Sequence, residues 1–146
     1  MFTKDLVYIF TILEAIEKIF IYSLKFEKAD EFYWENDQIN FNATVNLLIA
    51  IGEEVKKIDN SLKFHYQNIH WKEIGGLRDK ITHNYRGIDP TIIWSVIKDE
   101  LPTLKIALIS MLKKIDIENS LIKELINNPY YKHITYLVKN DEKSIN

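Results

Sequence analysis

Ile9-Phe10-Thr11-Ile12-Leu13-Glu14-Ala15-Ile16-Glu17-Lys18-Ile19-Phe20 decides the fold of this chain. Its apolar residues Ile9, Ile12, Leu13, Ile16, Ile19 and Phe20 recur at spacings of three and four, the period of one helix face. The pattern predicts a first long helix over roughly residues 4–26. A polar stretch, 27–40, follows with Tyr33 and Trp34 inside it. Phe41, Val45, Leu48, Ile49, Val55 and Ile58 then mark a second helix, and 59–70 reads as a loop or short irregular helix. Trp71 to Asn84 reads as a third helix with Ile74, Leu77 and Ile81 inward. Gly87 is expected to end it by taking positive φ without a Cβ clash. Asp89-Pro90 predicts a helix start, with Asp capping free amides and Pro in the first turn. Ile93, Val96, Ile97, Leu104, Leu108, Met111 and Ile115 form the next stripe, which Pro102 should bend or break. Residues 117–139 form one more amphipathic segment, with Leu121, Ile122, Leu125 and Ile126 ahead of Pro129. Asn140–Asn146 reads as a frayed polar tail. The expected fold is all-α: an up-and-down four-helix bundle over residues 1–116 with a C-terminal helical extension over 117–146.

Composition narrows the function. A chain of 146 residues, 47% apolar with 4 Gly and 3 Pro, can bury a core and is not disordered. It has no cysteine, so disulfides and thiolate zinc sites are excluded. Apolar runs such as Asn46–Gly52 are too short to span a membrane. The N-terminus lacks a signal-peptide pattern, so a cytoplasmic protein is expected. The net charge of −2 argues against bulk coating of nucleic acid. Its distribution is uneven: residues 1–40 carry −4, and residues 56–86 carry +4 together with His65, His70 and His83. Such a window suits one anionic ligand held in one place, or a solvated surface.

Arg78-Asp79-Lys80-Ile81-Thr82-His83-Asn84-Tyr85 lies in that window. Arg78 offers a planar fork of donors for a phosphate, and His83 can move a proton near neutral pH. Five residues separate them, about 140° around an ideal helix. One copy therefore does not present both on one face, whereas a twofold dimer offers two of each to one cleft. Asp79 and His83 are four apart and can meet, so Asp79 is a candidate to orient the imidazole or hold its proton. Arg78 and Tyr85 are seven apart and nearly aligned if the helix persists. Gly75-Gly76 allows close backbone approach at the cleft, or is simply a helix-start turn. Trp71 and Trp94 are expected in the core rather than as base-stacking platforms. His65 and His70 lack a carboxylate at helical spacing, so no metal site is expected.

Ile69-His70-Trp71-Lys72-Glu73-Ile74-Gly75-Gly76-Leu77-Arg78-Asp79, then His83-Asn84-Tyr85, Ile88-Asp89, Ile93-Trp94 and Leu101-Pro102, resemble the HepT-type branch of the HEPN superfamily. Ile51-Gly52-Glu53 resembles an element of that branch's second helix. The likeness runs from about residue 5 to 115. It implies a homodimeric, metal-independent endoribonuclease without cofactor, the toxin of a type VII-like toxin–antitoxin pair. Arg78 and His83 would be catalytic, with Asp79 and Tyr85 supporting. It also implies a partner, an MNT-type nucleotidyltransferase antitoxin that transfers AMP to Tyr85. The branch commonly has Asn where this chain has Asp79, which adds a negative charge beside the site. That leaves an alternative, a non-catalytic helical dimer that holds nucleotide and serves as the nucleotidyltransferase's substrate or scaffold.

Overall fold

The computed structural model describes residues 3–83, 85–115 and 119–138. Among them it is an all-α bundle without strands. Four helical legs make it up: α1 (Thr3–Ser23), α3 (Ile39–Lys57), the pair α5 (Trp71–Gly75) and α6 (Leu77–His83), and the run from α7 (Pro90–Ser95) to α8 (Leu101–Lys114). Short helices α2 (Ala29–Trp34), α4 (Asn60–Lys63) and α9 (Asn119–Ile126) fill the connections and the C-terminal extension. The expected residue-116 boundary and the tail Asn140–Asn146 lie outside the described residues.

Helix α1 is the centre of the molecule. Leu6, Ile9, Phe10, Ile12, Leu13, Ala15, Ile16 and Ile19 are all buried, more than one face of a surface helix would hide. The reason is that α1 is covered from several sides, by α3, by α8 and by the C-terminal extension. In the extension, Tyr131 and Ile134 join the core, and the Tyr131 ring meets Phe10 edge-on at 5.8 Å. Glu14, 1% exposed, accepts hydrogen bonds from the His133 amide at 3.1 Å and from its ring Nδ1 at 2.8 Å. A buried carboxylate is costly unless hydrogen-bonded, so this pair fixes where the extension docks.

The polar stretch after α1 folds more tightly than its composition suggests. After α2, Asn36, Asp37 and Gln38 all take left-handed φ, at 53°, 55° and 66°. Each such residue costs roughly 1–2 kcal/mol, least for Asn and Asp. The turn reverses the chain into α3, and Asn40 then donates to the Tyr22 carbonyl at 2.9 Å, satisfying a free acceptor at the end of α1.

Three helix boundaries differ from the sequence reading. The third helix is broken at Gly76 (φ −87°, ψ 1°) into α5 and α6. Gly87 does not have positive φ; α6 ends at His83, and Tyr85–Gly87 forms a 3₁₀ turn instead. Pro102 leaves no gap in the helical run from α7 to α8. The backbone widens into a π-helical segment at Val96–Glu100, where the Leu101 amide bonds to the Val96 carbonyl five residues back. Such widening accommodates a proline, which lacks an amide and clashes with the carbonyl four residues before it. The Asp89 cap is formed as expected: its carboxylate accepts from the Thr91 amide at 2.9 Å, with Pro90 in the first turn.

Gly52 sets the distance between α3 and α5. A Cβ built there would stand 2.6 Å from the Ile74 carbonyl oxygen. Because the obstacle is backbone, Gly52→Ala must push the two helices apart. It is expected to destabilise the fold by about 1–3 kcal/mol, read as a lower urea midpoint at unchanged slope.

Candidate active site

Helix α6 buries Leu77 and Ile81 against the bundle. That leaves Arg78, Asp79, Thr82 and His83 exposed. The two candidate catalytic residues thus sit on one short, regular helix, so their separation of about 140° persists. Any loosening near Asn84 lies outside the described residues.

His83 is held by its own helix. Its Nδ1 lies 2.8 Å from the Asp79 carbonyl. A carbonyl only accepts, so Nδ1 carries a proton, and in the neutral ring the lone pair is on Nε2. Asp79 therefore orients the imidazole through its backbone, not through the carboxylate that the four-residue spacing suggested. Thr82 makes the equivalent bond, its hydroxyl donating to the Arg78 carbonyl at 2.8 Å.

Arg78 faces a residue to which the sequence reading gave no role. Its Nη1 is 4.0 Å from Glu53 Oε2 on α3, while Lys56 Nζ is 3.0 Å from Glu53 Oε1. The Lys56 hydrogen bond first, and then the charges of Lys56, Arg78 and Lys57, hold the Glu53 carboxyl below its usual range. The Arg78 side chain remains 58% exposed, and at 4.0 Å the Glu53 contact is a loose ion pair rather than a hydrogen bond, so the guanidinium stays open to solvent. Glu53 follows Gly52, whose close contact in the folded chain brings α3 against α5. Gly75 and Gly76 have no left-handed φ, and a Cβ on Gly75 would meet the Lys56 side chain at 3.3 Å.

Tyr85 begins the 3₁₀ turn after α6, so the seven-residue alignment with Arg78 along one helix does not hold; its side chain lies outside the described structure. Trp71 and Trp94 are half-buried and packed on the core, as expected. Among the described residues, no group of three or more His, Cys, Asp or Glu side chains could hold a metal ion. Nor is any helix there long and apolar enough to cross a membrane.

His70 belongs to a separate pair. Its Nδ1 is 2.9 Å from Glu100 Oε1, at the end of the π-helical segment. The hydrogen bond His70 donates to Glu100, then the charge of that carboxylate, raises the His70 pKa above the usual range. With a raised folded-state value, the contact stabilises the fold fully below the ordinary midpoint of about 6.5 and is lost as pH rises through the raised one. An NMR titration is expected to place the His70 midpoint above that of a free imidazole, and Glu100→Gln should bring it down.

An exposed Arg–His pair thus lies on one bundle helix, beside a close α3–α5 contact made by glycine and a carboxylate 4.0 Å from the arginine. The chain belongs to the Ribonuclease HepT-like family, whose model matches residues 12–111. It is 35% identical over 116 residues to "Putative RNase MJ1216" of Methanocaldococcus jannaschii, covering 78% of this chain and 93% of that protein. "Putative RNase MJ1380" of the same organism is 31% identical over 100 residues, 67% of this chain and 87% of that one. "Probable ribonuclease HepT" of Thermococcus cleftensis is 38% identical over 63 residues, 43% of this chain and 57% of that protein. No solved structure matches the chain.

Proposed function

We propose that this protein is an endoribonuclease that cleaves RNA by attack of its own 2′-oxygen on the adjacent phosphate. The observation that carries the reading is the His83 geometry: Nδ1 is tied to the Asp79 carbonyl, which leaves an exposed Nε2 able to accept a proton. In the forward step His83 Nε2 takes the 2′-hydroxyl proton as the new P–O bond forms, and the 5′-oxygen leaves with a proton from a second acid. Arg78 stabilises charge on the non-bridging oxygens. The products are a 2′,3′-cyclic phosphate and a 5′-hydroxyl, with no net oxidation and no water consumed.

That acid is solvent water, so one His83 and one Arg78 complete a site. The 140° between Arg78 and His83 on α6 supports a homodimer in which two α6 helices share one cleft, each His facing the other copy's Arg. Family membership supports the remaining parts of the reading: a toxin paired with an MNT-type nucleotidyltransferase antitoxin, which silences it by adding AMP to Tyr85.

The test is to incubate the purified protein with RNA in EDTA and analyse the ends by mass spectrometry. Cyclic phosphate ends formed without added metal, by a species that light scattering shows to be a dimer, are the expected result. Cleavage that requires magnesium, or ends bearing a 5′-phosphate, would rule the mechanism out.

A further inference from the structure

One cavity among the described residues is not centred on Arg78 and His83 but runs away from them. It is a groove of about 880 Å³ between the end of α3, α4 and the α5–α6 corner. That volume is in the range that holds a nucleotide-sized ligand or more. Lys56, Lys63 and Lys72 line it, against the acids Glu73 and Asp79. Phe64, 66% exposed, and the half-buried Trp71 also line it.

The groove is continuous with the candidate active site. Asp79 lines it, and the carbonyl of the same residue holds His83. Lys56 lines it too, and shares the Glu53 carboxylate with Arg78. Gly75 and Gly76 face it without side chains, which keeps it open beside Lys56.

The segment that carries Phe64 is pinned rather than loose. Asp59 caps α4 by accepting from the Ser61 amide at 2.8 Å, and its own amide donates to the buried Asp5 at 2.8 Å. Beyond Phe64, the Tyr66 hydroxyl is 2.8 Å from Ser110 Oγ, and Trp71 Nε1 donates to the Tyr66 carbonyl at 3.0 Å. Lys63 Nζ donates to the Val55 carbonyl at 3.1 Å and lies 6.0 Å from the Trp71 ring centre. Partial burial lowers its pKa in spite of the charges of Asp5 and Asp59, as expected of a cation lacking a full counter-charge. An aromatic ring left exposed on an anchored backbone, beside three lysines, is the arrangement that binds unpaired nucleic acid. Bases stack on the ring while the cations follow the phosphates.

We infer that this groove binds the unpaired RNA strand flanking the scissile phosphate, with a base stacked on Phe64 and phosphates on Lys56, Lys63 and Lys72. The inference rests on the ribonuclease reading for the identity of the strand. It gives a role to Lys56, Lys63 and Lys72, three of the cations of the +4 window at residues 56–86. Charge complementarity favours RNA over a second copy of the chain, which would bring the same lysines to face themselves.

The test is fluorescence anisotropy of the whole protein with a labelled 2′-O-methyl oligouridine, which lacks the attacking hydroxyl and stays intact. Phe64→Ala is expected to weaken binding about tenfold, within the range for loss of one stacked base. Phe64→Trp should restore it, and Lys72→Gln should flatten the salt dependence by about 0.7 in log–log slope. Because Phe64 is exposed, these variants keep the fold. Unchanged affinity in Phe64→Ala overturns the groove, as does no binding of the oligonucleotide at all. So does a Phe64→Ala variant that loses the dimer in light scattering while binding RNA normally, since the groove is then a contact between copies. The two readings fail separately. Phe64-dependent binding without cleavage of the ribo-oligonucleotide leaves the groove and removes the nuclease. Cleavage with Phe64-independent binding does the reverse.

Discussion

His83→Ala is expected to lower the rate of RNA cleavage by about 10²–10⁴, the range for removing a general acid or base. His83 is exposed and its ring contact is with its own helix, so the variant should unfold at the same urea midpoint as the parent. Arg78→Ala should cost about 10²–10³ through loss of charge stabilisation. Arg78→Lys should recover only part of this, because an ammonium keeps the charge but loses the planar fork. The shared cleft makes a sharper demand. An Arg78→Ala protomer still carries His83, and a His83→Ala protomer still carries Arg78. Mixed after unfolding and refolding together, the two inactive proteins should regain activity, because the heterodimer holds one intact cross-copy pair. Full activity in either single variant would remove that residue's role. A mixture as inactive as its parts would show that no cross-copy pair forms, and the composite site would fall.

Tyr85→Phe is expected to abolish modification by an MNT-type nucleotidyltransferase altogether, since it removes the acceptor oxygen and keeps the ring. In the parent protein with ATP, intact mass should rise in steps of one AMP, and the added mass should map to the peptide spanning residues 71–86. Tyr85 opens the 3₁₀ turn directly after α6, within a few residues of Arg78, His83 and Arg86. An added phosphate there brings negative charge that competes with RNA for those cations. The modified protein should therefore lose cleavage. Mass added to the Tyr85→Phe variant, or silencing of that variant by the partner, would show that inhibition works by binding alone.

Glu53 shows why part of the site was out of reach of the sequence. Nothing in its local spacing links it to Arg78, which lies 25 positions away on a different helix. Only the close approach at Gly52 brings the two helices together. Asp79 shows the converse. The four-residue spacing to His83 was legible and the two do meet, but through the backbone carbonyl rather than the carboxylate. Spacing along a helix specifies which residues are neighbours, not which of their atoms touch.

The sequence by itself determined the helices that have strong periodicity. It determined α1, α3 and α8, whose apolar stripes are written in consecutive residues, and the Asp89 cap, which is a local hydrogen bond. It also brought Arg78 and His83 into one short segment, because helical geometry needs no tertiary partner. Tertiary packing decided the rest. The break at Gly76 and the left-handed turn at 36–38 each answer to neighbours elsewhere in the chain or to a choice among backbone states close in energy. The docking of Tyr131, His133 and Ile134 on α1 depends on Glu14, which lies 119 residues before His133. The groove beside α6 exists only because α3, α4 and α5 meet there. Contacts between residues far apart in the chain leave no period to read, so they become visible only once the bundle has closed.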